Sequence, residues 1–112
     1  MWHIDSNGMF SIVKKDCQSN ELLVRSRLKE DLERLAEKLS IPETAIRTSA
    51  NTDYKYRMTV KAEAFGAYLA KSALEIDYDN FKSSLPHNTA TDNKRSRAYM
   101  KVWSALYELQ GA

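Results

Sequence analysis

The residues able to bind metal or act as nucleophiles, His3, Cys17 and His87, lie far apart in a chain of 112 residues. No two stand at ligand spacing, so no metal site is expected. The lone cysteine has no histidine beside it, and the serines lack an elbow glycine pattern. Three scattered glycines cannot build a phosphate loop. The nearest approach to an acid–base set is Asp77 and Asp79, with His87 further on. Acids at i and i+2 in a polar loop are ordinarily just solvated. An enzyme centred on these three is therefore a minor alternative, and no catalytic residue and no cofactor are expected.

Basic residues form two groups. Arg25 and Arg27 on one β-prone segment, and Lys55 and Arg57 on another, alternate away from Val24 and Tyr56. If helices cover one sheet face, the four share the open face or its edge and attract phosphates or an acidic protein. Glu21, Asp53 and Glu63 lie near in sequence and are candidates to neutralise them. Lys94, Arg95, Arg97 and Lys101 gather at the start of the last helix. Cations there oppose the helix dipole, so an internal acid such as an Asp92 cap, or an external anion, should offset them. Together the two groups make nucleic-acid binding the second functional reading.

Aromatic residues form the third candidate. Tyr99, Trp103 and Tyr107 stand at four-residue steps, a column usually explained by core packing. The apolar arc with Val102, Leu106 and Leu109 is wide for one covered face, and any surplus suits a protein interface, including a homodimer. Tyr78 and Phe81 follow the second helix at a spacing that can carry its inner stripe one turn further. That would clasp the helix to the core, with a binding lip as the alternative.

The elements that must position these groups are read from periodicity. Trp2–Ile4 and Met9–Lys15 read as strands around the turn "DSNG", where Asn7-Gly8 suits positive φ. Glu21–Arg27 alternates, with Leu22 and Val24 on one face and Leu23, Arg25 and Arg27 on the other. Lys29–Leu39 is a helix with Leu28, Leu32, Leu35 and Leu39 in one stripe, ended before Pro42. A short strand is expected near Ala45–Thr48. Tyr54–Lys61 is a strand with Tyr54, Tyr56, Met58 and Val60 inward. Ala62–Ile76 is a helix with Phe65, Leu69, Ala73 and Ile76 inward, where Gly66 marks close packing or a weak spot. A polar stretch containing Pro86 leads to a last helix, Asp92–Leu109. The expected class is α+β: one compact domain over residues 1–112, a small antiparallel sheet with two to three helices on one face.

The totals agree with an ordinary globular chain, 43% hydrophobic and 29% charged, with a formal charge of +2. One cysteine allows no intrachain disulfide, which favours a reducing, cytoplasmic setting. No apolar run suits a membrane span, and "MWHIDSNG" lacks signal-peptide features.

The segments "MW…FSIV", "ELLVRSR", "DYKYR", "EIDYDNFKSSL" and "YMKVWSALYELQ" resemble a group of small bacterial and phage proteins that carry no assigned activity. The resemblance spans Met1 to Gln110 and implies a single compact domain; it brings no activity, cofactor or assigned site residue with it. The expected function is a non-enzymatic protein-binding module, a regulator or small inhibitor. In a phage setting that includes antagonists of host defence such as anti-CRISPR proteins. Its partner surface is expected at Tyr78, Phe81, Tyr99, Trp103 and Tyr107.

Overall fold

The computed structural model describes residues 1–111. Strands β1 (Trp2–Asp5), β2 (Gly8–Val13) and β3 (Glu21–Ser26) precede helix α1 (Lys29–Lys38). Strands β4 (Arg47–Thr48) and β5 (Tyr56–Lys61) follow, then helices α2 (Ala62–Leu74), α3 (Phe81–Ser84) and α4 (Ala90–Tyr107). Among the described residues the strands form one antiparallel sheet in the order β1-β2-β3-β5-β4. The α+β class expected from the sequence is the class observed. Two compact units divide the chain, Met1–Ile76 and a second from Asp77 onward.

In the first unit the core lies between one sheet face and the helices α1 and α2. Ile12, Val24 and Met58 stand in one cross-strand row, because Ile12 pairs with Val24 and Val24 with Met58. Phe10 and Val60 extend that face, and Leu32, Leu35, Ala36, Phe65 and Tyr68 close on it from the helices. Each large apolar side chain buried here contributes about 1.5–3 kcal/mol. Moving one residue along each strand flips the side chains to the second face. Ser11, Arg25, Arg57 and Arg47 stand there in a neighbouring row.

The first hairpin is fixed by polar contacts more than by its turn type. Asp5 Oδ1 accepts the backbone N–H of Asn7 at 2.7 Å, which tightens the Ser6-Asn7 loop. Asn7 does not adopt the positive φ expected of it; only Gly8 does, at 147°. Gly8 belongs to β2 and packs against α1. A Cβ placed on it would lie 2.3 Å from Cγ of Asp31, which is itself buried. Asp31 Oδ2 accepts the N–H of Met9, and Oδ1 takes the Arg34 guanidinium at 2.7 Å. Arg34 Nε also donates to the Asn7 carbonyl, so α1 bonds the hairpin at two points. Helix α1 ends with Ser40 at φ 56°, its N–H bonded to Glu37 and that of Ile41 to Ala36, a Schellman closure without its usual glycine.

Two further expectations need correction in this unit, and the open alternative at Gly66 is decided. Tyr54 precedes β5, and its ring lies beneath the guanidiniums of Arg25 and Arg27, away from the face that carries Met58. Helix α2 stops at Leu74, leaving Ala73 and Ile76 exposed, and Tyr68 takes the inward position beside Phe65. Gly66 is exposed, and nothing lies within 4 Å of where its Cβ would be, so it marks no close packing. Gly66→Ala should therefore stabilise the protein by about 0.5–1 kcal/mol. A rise in the urea midpoint checks it.

In the second unit Asn80 caps α3, its side chain accepting the N–H of Ser83. Helix α4 begins two residues earlier than expected. Thr89 is its N-cap, and Asp92 returns a hydrogen bond as the third residue of a capping box. Asp92 thus supports the cap without being it.

Candidate binding surfaces

The residues expected to meet a partner separate into two sets. Tyr78 and Phe81 pack on each other at 5.8 Å between ring centroids, and Phe81 stacks on Tyr99 at 6.3 Å. All three are half-buried. Tyr78 and Phe81 do not prolong the stripe of α2, because that helix has ended; they serve the second unit. Trp103 and Tyr107 stack at 5.3 Å and stand 49% and 46% exposed. Lys82 Nζ lies over the Trp103 ring, 4.2 Å from its centroid, a cation–π contact.

Around that exposed pair stand Val102, Leu106 and Leu109 of the expected apolar arc, joined by Met100, which the sequence reading left out. Met100, Val102, Leu106 and Leu109 are all open to solvent. No described residue from Met100 to Gly111 is buried. The apolar periodicity was legible, but it reads the same whether a helix covers its own core or awaits a partner. Only two charges, Lys101 and Glu108, interrupt Met100–Gln110.

The basic residues divide similarly. Lys94, Arg97 and Lys101 are exposed on α4. Arg95 is not an open anion contact: it is buried, with Nη1 3.6 Å from Asp92 Oδ1. On the sheet, Arg25 and Arg57 are directly paired across β3 and β5, and Arg27 is exposed beyond the end of β3. Lys55 is exposed too, its Nζ 5.6 Å from the Tyr56 ring centroid. Arg47, paired to Arg57 from β4, lies in the short strand expected near Ala45–Thr48 but was not named as a contact, because its pairing to β5 is not written in the local sequence. The acids suspected of neutralising this face do not bind the paired arginines. Glu21 meets Lys61 at 3.5 Å, while Arg27 takes the backbone carbonyl of Asp53.

Asp77, Asp79 and His87 are exposed, and His87 Nδ1 lies 3.2 Å from Asn93 Oδ1. A denser polar cluster, unread in the sequence, joins the hairpin to α2. His3 Nε2 is 2.9 Å from Asp5 Oδ2, the Tyr68 hydroxyl donates to that same oxygen, and Asn7 Nδ2 donates to the hydroxyl at 3.0 Å. Burial alone would raise the pKa of Asp5. The hydrogen bonds from His3, Tyr68 and the Asn7 N–H outweigh burial and hold it below the ordinary carboxylate value. Burial, then donation to Asp5, push Tyr68 well above the usual tyrosine range, so its hydroxyl stays protonated as the bond requires. The cluster borders a groove of about 360 Å³ lined by Asn7, Lys38, Tyr68, Lys71 and Ser72. With Tyr68 held from both sides, the arrangement ties the first hairpin to α2.

Because the folded-state pKa of Asp5 is depressed, its contribution is complete above the unfolded carboxylate value and is lost as pH falls through the folded one. Stability should therefore drop on acidification below about pH 4. Asp5→Asn should flatten that part of the profile while lowering stability at neutral pH. Urea midpoints between acid and neutral pH check it.

No helix among the described residues is long and apolar enough to cross a membrane. Among them no group of three His, Cys, Asp or Glu side chains could hold a metal ion. No protein-family model, curated protein or solved structure matches the chain.

Proposed function

We propose that this chain is a non-enzymatic protein-binding module whose contact surface is the second half of α4. The observation that carries the reading is the solvent exposure of Met100, Val102, Trp103, Leu106 and Tyr107 along the end of α4, and of Leu109 in the short 3-10 turn that follows it. A helical segment of this length is marginal in water without packing. Large contiguous apolar surface is rare on proteins that work alone. Met100, Trp103, Leu106 and Tyr107 follow the spacing of anchors that enter an apolar groove on a partner. Trp and Tyr are the side chains that most often dominate such contacts. The occupant is thus a protein offering an apolar groove, met by a segment with little charge of its own. In a phage setting, occupying such a groove is how a small inhibitor would disable a host protein.

A photoreactive residue in place of Leu106, introduced in cells of the source organism, tests this. The expected product is one heterologous cross-linked species, absent when the same residue replaces Lys38. Cross-linking only to a second copy would move the surface to self-association. Equal yields from both positions would contradict the reading.

A further inference from the structure

We propose that the partner of α4 encloses the helix in a cleft, its apolar floor under Trp103 and its lips carrying carboxylates that close over Lys94, Arg97 and Lys101. The inference rests on the protein-binding reading of α4 and adds the partner's charge and shape. Its basis is where two kinds of exposed residue stand around one helix. At about 100° per residue, Met100, Val102, Trp103, Leu106 and Tyr107 cover about 160° of the circumference. Lys94, Arg97 and Lys101, exposed as well, fall within about 60° on the other side. Lys94 points about 180° away from Trp103, and Lys101 about 160°.

The basic stripe has no counter-charge in the chain itself. From Lys94 to Tyr107 the helix carries four basic residues and no acid. Asp92, one turn earlier, is committed to the capping box and to Arg95. Glu108 stands seven residues beyond Lys101, about 10 Å along the axis. Among the described residues no carboxylate lies within ion-pair distance of Lys94, Arg97 or Lys101. Lys94 and Arg97 stand at i, i+3 and Arg97 and Lys101 at i, i+4, spacings at which like charges repel. By contrast Lys71 on α2 has Glu75 one turn further on, at 3.7 Å. A stripe left repulsive in the free chain is relieved by carboxylates brought from outside.

The opposed placement decides the shape of the occupant. A flat anionic surface meets one side of a helix at a time. Laid on the apolar arc it leaves the cations pointing away, and laid on the cations it leaves Trp103 and Tyr107 in water. A cleft that closes from both sides meets both. The helix is open to such a cleft, because no described residue from Met100 to Gly111 is buried. Ser104 and Ala105, which lie between the two sides, are exposed and small, so the walls can approach there. Lys94 and Lys101 are about 10 Å apart along the axis, and one acidic lip spans all three cations. Complementary charge of this kind speeds encounter and makes binding sensitive to salt.

The test places a photoreactive residue in the full chain, in cells of the source organism, at Leu106 or separately at Ser104, about 160° around the helix. Both positions should cross-link to the same heterologous protein. With the probe at Leu106, Lys94→Glu, Arg97→Glu and Lys101→Glu together should cut the yield by about tenfold or more. The same reversal at Lys15, Lys29 and Lys38, exposed in the first unit, should leave it unchanged, which separates the stripe from net charge. Circular dichroism checks that each variant is folded, and the three glutamine substitutions at 94, 97 and 101 keep the test valid if charge reversal unfolds α4. A product from Leu106 but none from Ser104 means a one-sided groove and overturns the inference. So does a stripe variant with undiminished yield, or an equal loss from both charge sets. In those cases the protein-binding reading stands; no heterologous product from Leu106 at all removes that reading and this inference with it.

Discussion

Gly8→Ala should destabilise the protein by about 3–5 kcal/mol, enough to leave a marginal domain largely unfolded. Two costs add. A side chain at φ 147° sits in backbone space that is essentially glycine's alone, a strain of about 1–3 kcal/mol. The new methyl would also overlap the carboxyl group of Asp31. That carboxylate cannot simply swing away, because it is buried and holds both the Met9 N–H and the Arg34 guanidinium. Retreat would leave a buried donor and a charge short of partners, which carries its own penalty. Urea unfolding followed by circular dichroism checks it. A midpoint near that of the wild type would mean that α1 does not clamp the hairpin as described.

Trp103→Ala combined with Leu106→Ala should lower affinity for the partner by more than about 100-fold while leaving the fold intact. The two effects separate because both side chains are largely exposed in the chain alone, 49% and 59%. Removing them therefore subtracts little from folding. In a complex they would be central anchors, and truncating such residues typically costs about 2 kcal/mol or more each. Two together give the stated factor, since each 1.4 kcal/mol is about tenfold. Titration of partner against both forms, with thermal melts alongside, distinguishes lost contact from lost structure. A large fall in melting temperature would place these residues in packing instead.

Much of the first unit was legible because its signals are local. The alternation in β2, β3 and β5 and the Leu32–Leu35 stripe of α1 follow directly from strand and helix periods. What failed depended on partners distant in sequence. Tyr54 continues the alternation of β5 on paper, yet Arg25 of β3 and Arg27 just beyond it draw its ring beneath them. Tyr68 escaped notice because its value lies in Asp5 and Asn7, more than sixty residues away. The basic pairing of Arg25 with Arg57 was anticipated only as a shared face; its register comes from β3 lying beside β5. On α4, Asp92 looked like a cap because an acid at a helix start is a familiar sign, whereas Thr89 three residues earlier takes that place.

The protein-binding reading rests on the bare end of α4, and its most direct test is quantitative. Tagged wild type and the Trp103→Ala/Leu106→Ala variant would be recovered side by side from source-organism lysate at physiological salt, with bound proteins measured by mass spectrometry. The expected result is a single species, near-stoichiometric on the wild type and reduced at least tenfold on the variant. Equal recovery by both forms, or no species on either, would contradict it.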